Sequence, residues 1–565
     1  YDEEQAAWIL EQGEYTLRMG NSSRDTEVCG VISVPETLVI KSVKNCFGKP
    51  DFTDWKPERK RKDRVGKKIQ SLEADIFSVD IVKVVYEHKD EPMPEMGGFS
   101  DEELISLNVG AFVAGGGVTG IIGNASMSVA GAAGETAKVG EIPVIVMADG
   151  PAGLRLSQKC FRDENGIHSL GSTMPETMQN LLTEDERAYM NSMIPQPGED
   201  SEIFEQYATA IPIGTAIAQS WNPLLAERCG DIVGSEMERF GIHLWLAPAL
   251  NIHRSIRCGR DYEYFSEDPY LTGKCGAAVV KGIKKSGADA TVKHFACNNQ
   301  ELARNMADSI VSERAVREMY LKGFEMAVKE GHACSIMTSY NPLNGHWSAS
   351  NYDLCTTILR EEWGYTGIVM TDWWAKMNDP VKGGEAHMNN TAAMVRAQND
   401  LYMVVPNGGS QENEYEDNTL EALENGTLTI GELQRCAMNI CRFILHAPVS
   451  ERKLKTLEEM QEENMDFAFG PIKMYPPKEA MTMQIEHAGR YKFLVKTRSP
   501  LSSLAQSSSN LLLNGQPVVT IQSNGTENEW VILKLNNIQL EAGTYQAELA
   551  PVKPGLEIEW IEVTR

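Results

Sequence analysis

Asp372 ends an apolar, β-rich run, Gly367-Ile-Val-Met-Thr-Asp372, and is followed at once by Trp373 and Trp374. A buried strand delivers such a residue to the rim of a pocket. A carboxylate there attacks or stabilises a cationic carbon, and an aromatic face packs on the C–H face of a sugar. Carbohydrate chemistry is one reading of the pair; an aspartate that only caps a strand end is the other.

Four more segments carry groups of this kind. Asp149-Gly-Pro-Ala-Gly-Leu-Arg155 is a tight loop that leaves Asp149 and Arg155 free to bond hydroxyls, or an ordinary turn with a surface pair. Gly259-Arg260-Asp-Tyr-Glu263-Tyr-Phe-Ser-Glu267-Asp268-Pro offers Arg260 as a planar donor to a sugar diol, while Glu263, Glu267 and Asp268 read as residues that pin the loop and cap the next helix. Thr291-Val-Lys293-His294-Phe-Ala-Cys-Asn-Asn-Gln-Glu301-Leu-Ala-Arg304 sets a cation beside an imidazole, with Arg304 following in polar surroundings. A lone histidine is more often a satisfied core residue; Lys beside His at a strand end is rarer by chance. Ile336-Met337-Thr-Ser-Tyr340-Asn-Pro-Leu-Asn-Gly345 brings a phenol to a strand end, where it orients a carboxylate or simply fills the core.

Other chemistries fit less well. The 10 histidines include no pair at metal-ligand spacing, so no metal is expected. Gly115-Gly-Gly117-Val-Thr-Gly120 formally matches a dinucleotide loop, but a helical pattern (101–109) precedes it and small residues continue beyond, so it reads as a loop near a pocket mouth and no cofactor is expected. The net charge of −26, from 53 Lys plus Arg against 79 Asp plus Glu, argues against nucleic-acid binding. The basic cluster at 56–68 has no interleaved aromatics and reads as a solvated linker face. There is no apolar run long enough to span a membrane and no signal-peptide pattern. The 11 cysteines, an odd set mostly inside apolar segments, read as free buried thiols in a reducing, cytoplasmic setting.

The elements that must position these groups alternate. Short β-branched runs at 142–148, 242–247, 290–295, 335–340, 367–372 and 401–405 are separated by helical patterns such as 201–220, 311–330 and 352–362. Such repeats fit a (β/α)8 barrel or a doubly wound sheet. Nearly every run ends in polar groups, as chemistry at the C-terminal face of a barrel requires, and that favours the barrel. The fold class is therefore α/β, a TIM-like barrel at 97–410, preceded by a strand-rich start (1–35) resembling the end of a β-sandwich and a polar connector (36–96). An acidic helical extension (411–480) and an all-β sandwich (481–565) follow it.

Together these motifs resemble glycoside hydrolase family 3, in order and spacing across about 100–406. The resemblance implies a retaining, exo-acting enzyme that releases terminal glucose from β-glucosides, or a β-xylosidase of the same family. It implies Asp372 as nucleophile, and Asp149, Arg155, Arg260, Lys293, His294, Arg304 and Tyr340 as holders of the first sugar, with Met337 and Trp373 as walls. Most members carry an (α/β)6 domain after the barrel, and it usually supplies the acid/base glutamate. No such repeats follow here. The run 8–24 resembles the end of the family's fibronectin type III-like sandwich, placed before the barrel as in the circularly permuted subgroup. The expected partners are then a small saccharide and an (α/β)6 segment lying outside this chain; a homo-oligomer stays open. Lys293-His294-Phe-Ala-Cys departs from the Lys-His-Phe-Pro-Gly-His-Gly of the N-acetylglucosaminidase branch. A sugar-binding fragment without acid/base is the non-catalytic alternative, and a nucleotide-dependent oxidoreductase resting on Gly115–Gly120 is the third reading.

Overall fold

Eight short strands form the frame of the functional face: β1 Val109–Phe112, β2 Gly134–Thr136, β3 Val146–Ala148, β4 Leu244–Trp245, β5 Asp289–Phe295, β6 Ser335–Thr338, β7 Ile368–Met370 and β8 Tyr402–Pro406. In this computed structural model the described residues are 1–22, 24–55, 65–73, 82–86, 98–112, 126, 128–163, 166–170, 182–192, 196–199, 201–406, 416–446, 471–476, 481–502 and 505–564. The strands bond in the order β7-β6-β5-β4-β3-β2-β1-β8. A parallel bridge between Met370 and Leu401, with the Thr371 N–H donating to the Leu401 carbonyl at 2.9 Å, brings β7 beside β8 and nearly closes the ring.

Side chains alternate across the strands, as a pleated sheet requires. Val146, Trp245, Val292, Ile336 and Val369 join one apolar cluster with Val233, Met237, Val279 and Ile283 of the outer helices Pro223–Phe240 and Pro269–Lys284. Their neighbours Met147, Leu244, Met337 and Met370 join another. Both helices start where the sequence signals it. Asn222 accepts from the Leu224 and Leu225 amides at 3.0 and 3.3 Å, Asp268 accepts from Leu271 at 2.8 Å, and a proline follows each cap.

Three expectations need correction. The barrel is mixed rather than all-parallel, because β2 runs antiparallel to β1 and β3. Residues 137–145 are too few for a parallel crossover, which takes roughly a dozen or more. The helix at 201–220 is absent: Glu202–Glu205 pairs with Lys159–Asp163, and only Gly214–Gln219 is helical, beyond Pro212. Cross-strand pairing and the proline override the helical periodicity. The helix beginning at Asp101 stops at Leu107, and Val109 instead opens β1 through pairing with Tyr402. The Gly115–Gly120 motif and most of the basic cluster lie outside the described residues; the end of that cluster opens strand Val65–Glu73.

The run 8–24 forms strands Ala7–Leu10 and Gly13–Gly20, paired with Leu38–Ser42 and Thr26–Val34 respectively. Every cysteine is a free thiol, most of them buried. Among the described residues no helix is long and apolar enough to cross a membrane. The chain divides into two compact units, 1–454 and 455–565. The second contains two four-stranded antiparallel sheets whose inner faces, including Phe493, Val495, Ile561, Leu511, Ile521 and Ala547, share one core.

The barrel seam rests on a buried ion pair. Asp400, fully buried, accepts from Arg360 at 2.7 Å, from the Val369 amide at 2.8 Å and from Asn439 at 3.0 Å. Asp400→Ala would strand the Arg360 charge in the interior, so the larger unit should lose roughly 3–5 kcal/mol of stability. Urea unfolding followed by tryptophan fluorescence measures this; an unchanged midpoint contradicts it.

Candidate active site

The C-terminal ends of β3, β4, β5, β6 and β7 bring the candidate residues to one cup. A cavity of about 570 Å³ is lined by Asp149, Arg155, Arg260, Lys293, His294, Arg304, Met337, Asp372 and Trp373. Tyr340 stands behind this wall, buried, with its ring stacked under the Arg304 guanidinium 4.4 Å from the centroid.

The loop after β3 folds back on itself. Gly150 and Gly153 have φ of +112° and +120°, and an added Cβ would meet the Gly153 and Thr209 carbonyls at 2.1 and 2.2 Å, so only glycine fits. The tight return puts Arg155 within 2.9 Å of Asp149 Oδ2, while Lys293 Nζ donates to Asp149 Oδ1 at 2.7 Å. Lys293 is buried, and this pair satisfies its charge. Burial pushes the Asp149 carboxyl up, but Lys293 and Arg155 overcome it and hold the group well below the usual carboxylate range.

Asp372 is placed differently. Its Oδ1 accepts from the Trp373 amide at 2.8 Å. Its Oδ2 is buried and has no hydrogen-bond partner among the described residues; His294 Nε2 is 3.8 Å away. Burial raises its pKa, opposed by Arg260, Lys293, Arg304 and the Trp373 amide. The expected preference of the cations for the ionised form is present, but desolvation outweighs it.

The nearby cations are engaged elsewhere. Arg260 Nε bonds the buried Glu263 carboxylate, and Arg304 donates to Glu301 at 2.9 Å. Glu263 thus has the loop-pinning role expected of it, and Asp268 caps the next helix. The Tyr340 hydroxyl donates to the Trp373 carbonyl at 2.7 Å. Burial, then the Asp372 charge, pushes that phenol's pKa up. The two indoles separate. Trp373 lines the cavity and donates from Nε1 to the Ala133 carbonyl at 3.1 Å, whereas Trp374, at φ +57°, packs partly buried against the cluster around Met370 and Met403. Only one of the two faces expected for a sugar is at the cavity.

His294 is fully enclosed. Its backbone is clamped to the Asn251 side chain at 3.0 and 2.9 Å, and Nδ1 lies 3.3 Å from the Tyr264 hydroxyl. Asn298 donates both to that hydroxyl at 3.1 Å and to Glu301 at 3.2 Å. Tyr264, Asn298 and Glu301 lie inside the same motifs as the expected site residues, but nothing in their spacing signals the contacts they make.

Comparison with known proteins adds independent findings. Residues 183–443 match the Glycosyl hydrolase family 3 N terminal domain. A "Beta-glucosidase" of Ruminococcus albus is 41% identical over 340 residues, covering 56% of this chain and 35% of that protein. "Beta-glucosidase A" of Butyrivibrio fibrisolvens is 31% identical over 410 residues, 65% of this chain and 42% of that protein. The crystal structure of a β-glucosidase from Paenibacillus barengoltzii is 40% identical with a TM-score of 0.61, covering 99% of this chain and 59% of that one. The chain thus spans about a third to three fifths of the length of these relatives.

Burial, with Arg260, Lys293 and Arg304 adding to it, holds the His294 pKa well below its ordinary value. The ring should therefore stay neutral from roughly pH 8 down through pH 6, read from its 15N imidazole shifts assigned with His294→Gln. Protonation near the ordinary histidine value contradicts this.

Proposed function

We propose that the chain, whose residues 183–443 match the Glycosyl hydrolase family 3 N terminal domain, is a member of that family and carries the nucleophile side of a retaining, exo-acting β-glucosidase. The observation that carries the reading is the unpaired Oδ2 of Asp372 at a cavity lined with cations. A carboxylate already bonded to an arginine is a poor nucleophile; one left open beside positive charge stays available for a sugar carbon.

In this reading a terminal β-glucosyl unit sits in the cup with its C1 facing Asp372. Asp149, Lys293, Arg155, Arg260, Arg304 and His294 hold its hydroxyls, and Met337 and Trp373 pack on its apolar faces. Oδ2 attacks C1, the bond from C1 to the leaving oxygen breaks, and an acid/base glutamate delivers the proton to that oxygen. The same glutamate then takes a proton from the water that releases glucose. Retaining chemistry needs its carboxyl roughly 5–5.5 Å from Asp372. We place this glutamate on a segment outside these 565 residues, in a circularly permuted arrangement. Two observations support that placement: strands Ala7–Leu10 and Gly13–Gly20 come before the barrel, and the chain spans only part of its relatives. The nucleophile must be ionised to react. Because burial raises the Asp372 pKa, glycosylation should fade as pH falls through a value higher than that of an ordinary aspartate.

The nucleophile is testable without the acid/base. 2,4-Dinitrophenyl 2-deoxy-2-fluoro-β-D-glucoside has a leaving group that needs no proton, and it should label the chain once. Peptide mapping by mass spectrometry should place the label on Asp372, and Asp372→Asn should take none. Loss of covalent catalysis should also lower turnover of activated aryl glucosides on the order of 10³-fold or more. No adduct on the folded chain, or an adduct on another residue, overturns the assignment.

A further inference from the structure

Three cations lie close enough to Asp372 to lower its pKa, yet none is within ion-pair distance of Oδ2. Each has another carboxylate: Lys293 has Asp149, Arg260 has Glu263, and Arg304 has Glu301. Glu301 is the hub of the last two. Its Oε2 accepts from Arg304 at 2.9 Å, its Oε1 lies 4.0 Å from Arg260 Nε, and the same Oε1 accepts from Asn298 at 3.2 Å. It thereby ties the loop after β4 (Arg260) to the loop after β5 (Asn298, Arg304).

We propose that Glu301 is a positioning residue that keeps the Arg304 guanidinium off Asp372. The proposal deepens the glycosidase reading and rests on it. A guanidinium freed from its carboxylate inside a partly desolvated cup turns to the next available anion. Here that anion is Asp372, which Tyr340 already connects to Arg304: Arg304 stacks on the Tyr340 ring, and the Tyr340 hydroxyl holds the Trp373 carbonyl next to the nucleophile. Without Glu301, Arg304 would close on Oδ2 and occupy the attacking oxygen, leaving a sugar hydroxyl without its donor, while Arg260 would keep Glu263. Glu301 itself does not line the cavity, so it acts through Arg304 rather than on substrate.

Removing the Glu301 charge leaves two positive groups less neutralised beside Asp372, which favours its ionised form, so its pKa falls and the acid limb of labelling moves to lower pH. A purely structural lesion slows labelling without moving that limb downward. The test uses the full chain as wild type, Glu301→Gln and Glu301→Asp. The 2-fluoroglucoside labelling rate is measured against pH, and the Asp372 carboxyl titration is followed independently by 13C NMR, assigned with Asp372→Asn.

Glu301→Gln should label about ten- to a hundredfold more slowly at its optimum, with both the acid limb and the NMR titration of Asp372 displaced to lower pH. Glu301→Asp, which keeps the charge, should restore most of the titration. A Gln variant with a wild-type titration and limb, whatever its rate, overturns the proposal. A wild type that takes no label defeats the glycosidase reading instead, and the NMR titration still decides whether Glu301 holds Arg304 off Asp372.

Discussion

The constraint on which the site depends is the allocation of charge inside a small desolvated cup. Four cations (Arg155, Arg260, Lys293 and Arg304) and four carboxylates (Asp149, Glu263, Glu301 and Asp372) meet at one end of the barrel, and among the described residues the buried Asp372 Oδ2 has no hydrogen-bond partner. Any rearrangement that let a cation pair with it would lower the electrostatic energy locally and occupy the oxygen proposed to attack the sugar. The site avoids this because Asp149, Glu263 and Glu301 engage the cations first, each through a loop whose path is fixed by neighbouring bonds. The raised pKa of Asp372 and the lowered pKa of Asp149 are two results of that allocation: one carboxyl is buried largely unpaired, the other is buried between two cations.

The fold serves this allocation by controlling where loops leave the sheet. Parallel pairing from β3 through β7 puts five successive strand ends on one rim. The rigidity behind the rim comes from packing on both faces of the strands, with alternate residues facing the outer helices and the opposite cluster. The buried Arg360–Asp400 pair holds the seam where β7 and β8 are joined by few backbone bonds, one strand end away from Asp372. Placement of the Asp372 carboxylate therefore rests on a region whose own charges are largely enclosed, Asp400 completely.

Much of this is legible in the sequence, for a physical reason. An apolar run that stops abruptly at Asp149, at Lys293-His294 or at Asp372 reports both a buried strand and its functional end, so the rim residues stand out. Asp268 announces its helix by cap chemistry alone. What is not legible depends on partners far away in the chain. Gly134–Thr136 is too short and polar to read as a strand, and its antiparallel sense comes from the length of the connection behind it. Residues 201–220 carry a helical rhythm that pairing with Lys159–Asp163 overrides. Trp374 looks equivalent to Trp373 until the backbone turns to positive φ between strand end and loop. The pairing of each cation with one particular carboxylate is invisible in spacing, which is why Glu301 passes as an ordinary loop residue.

The most direct measurement is a crystal structure of the full chain with D-glucose. The account predicts the sugar in the cup with C1 nearest Asp372 Oδ2, Lys293 still on Asp149, Arg304 still on Glu301, and no cation bonded to Oδ2. Glucose bound away from Asp372, or an arginine paired with Oδ2 in the occupied site, would contradict it.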